Sequence, residues 1–202
     1  MAGGNFLHKP IRVDKVATKY RTIKTLMPVP ESIPALKQMY RLETKAMHGQ
    51  FPMIWDKAND FQIFDKWGNV WIDFTSTIFV TNAGHRNPKI CNAISEIVNN
   101  NFLHNYYFPS KIRAKLVKKL HDMTPVNLDK VFLLTTGAET IECCIKLARI
   151  YGRKINPKKI GIVSFVGAMH GKTLGALMVG GKTKEKHWIV NHDPDIHHLP
   201  FP

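Results

Sequence analysis

The spacing of hydrophobic and polar positions changes character twice along the chain. Residues 1–31 are polar and basic, interrupted by Pro10, Pro28 and Pro30, and predict an extended arm on the protein surface. Ser32 then heads a helical pattern. As N-cap it starts a helix to about His48, with Pro34 tolerated in the first turn and Gly49 as the stop. Three short runs follow: MIWD (53–56), FQIFD (61–65) and VWIDF (70–74). They are rich in aromatic and β-branched residues. The turn signals Lys57-Ala58-Asn59-Asp60 and Trp67-Gly68-Asn69 separate them, so an antiparallel meander is predicted.

Beyond TSTIFVTNAGHRNP (75–88) the period lengthens. The pattern predicts helix 88–101, helix 111–122, strand 130–135, helix 138–151 and strand 159–165, then a glycine-rich turn, GAMHGKTLGALMVGG. Strands alternating with helices predict an α/β architecture with a parallel sheet. The division expected is 1–75 (arm, helix and meander) and 76–202 (α/β part). No internal repeat or low-complexity tract interrupts it.

Strand 130–135 leads into TTGAETIECCIKLAR (135–149), where bare backbone and a hydroxyl meet the start of a helix. The first amides of a helix have no partner within it, and the macrodipole adds about half a positive charge there. That end suits a phosphate. Gly137 permits close approach, and the Thr136 hydroxyl can donate. The helix is polarised in the same sense, with Glu139 and Glu142 early and Lys146, Arg149 and Arg153 late, and Glu142 to Lys146 is expected as an i,i+4 pair. A plain strand-to-helix connection with Thr136 as N-cap accounts for TTGA equally well. GKT at 171–173 is not a Walker loop, because Val166 stands where its first glycine belongs, and no G-x-G-x-x-G occurs.

Composition changes this picture little. The chain has 202 residues, 44% hydrophobic and 10% aromatic, as in ordinary globular proteins. The longest apolar stretch, 160–169, is broken by Ser164 and two glycines and is too short for a bilayer, and no secretory signal opens the chain. Cys91, Cys143 and Cys144 have neither metal-binding nor disulfide-framework spacing, so a reducing cytoplasm is expected. The net charge of +14 raises nucleic acid as a partner. The densest basic run, KIRAKLVKKLH (111–121), instead carries Ile112, Leu116 and Leu120 at helical spacing, which is the pattern of a solvated helix face. HDPDIHHLPFP (192–202) lacks recurrent metal-ligand spacing. His85 is read as a loop-fixing hydrogen bonder, and Cys143 and Cys144 as core filler.

Four segments in order carry a resemblance: FDKWGNVWIDFTST, VTNAGHRNPKICNAI, TTGAETIECCIKLAR and GAMHGKTLGAL. Together, over roughly residues 50–202, they resemble the class III (ω-amino acid type) aminotransferases, pyridoxal 5′-phosphate enzymes of fold type I. The resemblance implies that 1–75 is part of the small domain and 76–202 the first part of the cofactor-binding large domain. It implies that Thr136, Gly137 and Ala138 hold the cofactor phosphate, with Met169 and His170 against the cofactor. Met169 stands where the family usually has Phe or Tyr. Lys172, the implied substrate contact, stands where many members have arginine, and Thr77 replaces a common glycine. The Schiff-base lysine is expected beyond Pro202, so the chain reads as the front part of an enzyme. The full enzyme would move an amino group from an amine or amino acid to a 2-oxo acid, typically as a homodimer. An aminomutase or racemase on the same scaffold, or a catalytically inactive basic binding module, is the alternative. In such a fold strand 130–135 should not pair with 159–165, which should instead pair in parallel with 196–200.

Overall fold

The computed structural model describes residues 8–100, 103–105 and 107–202. The chain divides into two compact units, Met1–Phe108 and Pro109–Pro202. The division falls later than the change of pattern at 75/76. Residues just after that change are held by the meander: Asp60 and His85 exchange two backbone hydrogen bonds, of 2.8 and 2.7 Å.

In the first unit a five-stranded antiparallel sheet has the order β1-β2-β5-β4-β3, from β1 (Val16–Ala17), β2 (Thr22–Ile23), β3 (Lys57–Asn59), β4 (Gln62–Phe64) and β5 (Val70–Ile72). The arm is therefore not merely laid on the surface. It supplies two strands, and Ile23, Met27 and Val29 are buried with Trp71 in the core. A polar clamp explains its attachment. Asn69, fully buried in the Trp67-Gly68-Asn69 turn, accepts from the Lys24 amide and donates to Thr25 Oγ1 and to Asp65 Oδ2. A buried amide needs such partners, and here two of them come from the arm.

The meander also shifts register. MIWD forms no strand, and Lys57–Asn59, expected as a turn, is itself β3, paired with β4 from Lys57↔Phe64 to Asn59↔Gln62. The reversal sits at Asp60-Phe61, with Asp60 at φ 51°. An aspartate tolerates that conformation, so the turn fits into two residues. The helix expected over 32–48 is α1 (Ile33–Leu42), followed by a separate single turn at Lys45–Met47. Ser32 does not cap it. Its hydroxyl donates to the Val29 carbonyl, fixing the preceding turn (Pro30–Ser32) instead.

After β5 comes one turn, α2 (Ser76–Phe79), whose residues all have positive φ, Thr77 at 54°. Thr77, which by the resemblance above replaces a common glycine, adopts the conformation that glycine takes without cost. The Asp73 carboxylate holds the turn. It accepts from the Thr75 amide and hydroxyl, from the Thr77 amide and from His85 Nε2. Next, α3 (Pro88–Asn99) is capped by Asn87, which accepts from the Lys89 and Ile90 amides. Asn101, the last residue of its expected span, lies outside the described residues.

In the second unit, α4 (Lys111–Met123) starts on the Ser110 cap, and α5 (Gly137–Ile155) on the Thr136 cap. Residues 130–135, expected as a strand, form none and have no ladder partner among the described residues. Hydrogen-bonded pairing rather than apolar sequence makes a strand, and the next strand in sequence is paired with one further along. β6 (Ile162–Phe165) runs parallel to β7 (Ile196–Leu199) in register Ile162↔Ile196 to Phe165↔Leu199. Two short helices, α6 (Leu174–Val179) and α7 (Thr183–Lys186), lie in the connection between them, and α6 falls within GAMHGKTLGALMVGG, read above as a glycine-rich turn. Arg149 of α5 ties the entrances of both strands, donating from Nε to the Ile160 carbonyl and pairing with Asp193 at 2.7 Å. That ion pair absorbs one aspartate of the HDPDIHH run. Cys143 is buried as core filler, whereas Cys144 is exposed.

Candidate cofactor site

The start of α5 presents Thr136, Gly137 and Ala138. Thr136 accepts from the Glu139 amide at 3.1 Å, so it is the N-cap, and its hydroxyl proton remains available. The amides of Gly137 and Ala138, at the first two helical positions, donate to no protein acceptor among the described residues. A Cβ on Gly137 would meet nothing within 4 Å. The capping and phosphate readings are therefore compatible. The cap uses the oxygen of Thr136, and the free amides point from the helix end. The Glu139 carboxylate, the one acid in the first turn, is engaged by the Thr135 hydroxyl.

The segment Met169–Lys172 is brought to the same helix end. Gly171 has φ 139°, and a Cβ there would lie 2.7 Å from the Ala138 Cβ and 3.0 Å from that of Ala176. Its backbone thus rides directly on the start of α5, a closeness only glycine allows. His170 is half-buried, with Nε2 3.1 Å from Ser164 Oγ at the end of β6. Met169 is 54% exposed. Lys172 is exposed and its ammonium has no partner among the described residues.

Three contributors escaped the sequence reading. Ser164 reads as an interruption in an apolar strand, yet it is buried and orients His170. Glu142 was expected to pair with Lys146. Instead its Oε1 accepts from the Thr173 hydroxyl at 2.5 Å and from the Ala176 amide at 3.0 Å. Burial raises the Glu142 pKa, but these bonds and the nearby Gly175 amide outweigh it, so the net direction is downward. Lys186 is 8% exposed, beside a cavity of about 300 Å³ that His192 and His198 also line. Its ammonium donates to the Met178 and Gly180 carbonyls, at 3.0 and 2.7 Å, closing the end of α6. Burial pushes its pKa down. Only the spacing from a helix end to a later lysine could have hinted at it.

The architecture has clear relatives. Over 84% of this chain it superposes on an (S)-enantioselective omega-transaminase from Thermomicrobium roseum, with TM-score 0.73, 23% identity and 40% of that chain covered. A taurine:2-oxoglutarate aminotransferase from Bifidobacterium kashiwanohense, in complex with PLP and glutamate, matches 85% of this chain and 38% of its own, with TM-score 0.72 and 26% identity. In sequence, a putrescine aminotransferase from Pectobacterium atrosepticum is 31% identical over 148 residues, 73% of this chain and 31% of that protein. An acetylornithine aminotransferase from Methanocaldococcus jannaschii is 31% identical over 169 residues, 82% of this chain and 41% of that protein. The chain thus spans well under half the length of these curated relatives. The family's cofactor is pyridoxal phosphate. The profile of aminotransferase class-III matches residues 44–202, and the chain belongs to that family.

Proposed function

We propose that this chain is the cofactor-phosphate-holding front part of a pyridoxal-phosphate-dependent transaminase of fold type I, its residues from 76 onward opening the large domain. The enzyme would transfer an amino group from an amine or amino acid to a 2-oxo acid. The observation that carries this reading is the meeting of two segments far apart in sequence. The free amides of Gly137 and Ala138 and the Met169–Lys172 segment share one helix end, with Gly171 packed on Ala138.

When bound, pyridoxal phosphate supplies an electron sink for chemistry at the substrate Cα. The roles left to this chain are holding and orienting. The Thr136 hydroxyl and the two amides donate to the phosphate, and the dipole of α5 favours its charge. The Met169 thioether offers a polarisable contact to an aromatic ring, and Ser164 fixes His170 beside it. Lys172 offers a point charge to a substrate anion without the fork geometry of arginine. None of Lys172, Lys182 and Lys186 is assigned as the lysine that attaches the cofactor. Lys182 lies 3.6 Å from Glu185, and Lys186 closes α6. The reading places that lysine after Pro202. Homodimeric assembly and a cytoplasmic setting belong to the same proposal. Among the described residues no helix is long and apolar enough to cross a membrane.

The test is a substitution that fills the cradle. Because a Cβ at 137 has open space, Gly137→Val should leave packing intact and obstruct only a ligand. In the full-length protein it should weaken pyridoxal phosphate binding about tenfold or more, a cost of about 1.4 kcal/mol, whereas Lys182→Ala should not. Equal affinities in the two variants would return the turn to a plain helix start.

A further inference from the structure

We propose that Glu142 is a positioning residue, whose carboxylate fixes the Met169–Lys172 segment against the phosphate-holding end of α5. The inference rests on the reading above and concerns a residue that reading leaves without a role.

Glu142 lies in the second turn of α5, on the helix whose start carries Gly137 and Ala138. Its Oε1 accepts from the Thr173 hydroxyl and the Ala176 amide. Thr173 is the N-cap of α6 but makes no side-chain cap of its own. A carboxylate from another helix does that work. Charge-assisted bonds of this kind are the stronger ones, and they begin one residue after Lys172. Gly175 confirms how closely the two meet, since a Cβ there would fall within the Glu142 carboxylate. On the other side of Lys172, Gly171 packs on Ala138. The segment is thus pinned at its far end by Glu142 and at its middle by Ala138, both on α5. A ligand bridging the phosphate turn and Met169 needs the two held in register.

The consequence separates two probes. Inorganic phosphate needs only the end of α5, whereas pyridoxal phosphate also needs Met169 and His170 in place. Glu142→Ala should weaken pyridoxal phosphate binding about tenfold, as when the competent arrangement falls to about a tenth of the population. Inorganic phosphate binding, followed by phosphorus NMR, should be unchanged. Glu142→Gln keeps an acceptor for Thr173 and Ala176 and should recover most of the loss. Gly175→Ala, by displacing the carboxylate, should reproduce it and add little to Glu142→Ala. Unchanged pyridoxal phosphate affinity in Glu142→Ala overturns the proposal. So does an equal loss for both probes, which would make Glu142 a general support of α5. An unsubstituted protein that binds pyridoxal phosphate no better than phosphate would overturn the cofactor reading itself.

Discussion

Replacing Asp73 tests how the loop before Asn82 is held. Its side chain is 3% exposed and that of His85 11%, so the 2.9 Å contact between them is largely shielded from solvent. A carboxylate can only accept, so the imidazole Nε2 carries the proton in this contact. Burial alone would raise the Asp73 pKa. The bonds from His85, from the Thr75 hydroxyl and amide and from the Thr77 amide outweigh it and bring it from 3.8 to about 2. At 1.36 kcal/mol per tenfold change in proton affinity, that drop corresponds to roughly 2 kcal/mol, or a few tens-fold in a local opening equilibrium. Because the folded-state value is the lower one, this stabilisation is complete above about pH 4 and drains away as the pH falls from 3.8 toward 2. Hydrogen exchange of the Thr75 and Thr77 amides reads it directly, since both donate to the carboxylate. After correction for intrinsic rates, their protection should fall a few tens-fold between pH 5 and pH 2. In Asp73→Asn it should be low at pH 5 and nearly independent of pH. Flat protection in the unsubstituted protein, or the same slope in the variant, would refute the account of Asp73 as the loop's anchor.

Three further outcomes are expected. Gly171→Ala should destabilise the second unit by about 1–3 kcal/mol, seen as a lowered denaturation midpoint, because its Cβ meets those of Ala138 and Ala176 at a φ of 139°. An unchanged midpoint would show that the segment is not packed on α5. The 202-residue chain alone should show no amino-group transfer in a coupled 2-oxo acid assay, and borohydride should fix pyridoxal phosphate to no single lysine; a stoichiometric adduct at one site would contradict this. The unpaired apolar run Val131–Leu134, with Phe132 66% exposed, should drive association of the isolated chain, and Phe132→Lys should lower its light scattering. Equal scattering would move the cause elsewhere.

Much of this protein was legible from local rules. Asn87, Ser110 and Thr136 start their helices where a short polar side chain precedes an apolar period, because an N-cap satisfies amides two and three residues away. The free amides of Gly137 and Ala138 were legible for the same reason, since unpaired amides at a helix start are a property of the helix itself. The parallel pairing of β6 with β7 followed from the family resemblance, not from residue spacing. What remained hidden depended on partners remote in sequence. The arm became two strands because Asn69 needed the Lys24 amide and Thr25. Lys57–Asn59 became a strand because an aspartate could turn at 60, and Val131–Leu134 found no ladder partner among the described residues. Glu142 had an adjacent lysine at ideal helical spacing, yet its carboxylate serves Thr173 and Ala176, thirty-odd residues on. A solvated ion pair contributes only tenths of a kcal/mol, whereas two bonds to a carboxylate in a half-buried setting contribute more. Local sequence therefore determined which groups were offered at each helix end, and tertiary packing decided which of them meet.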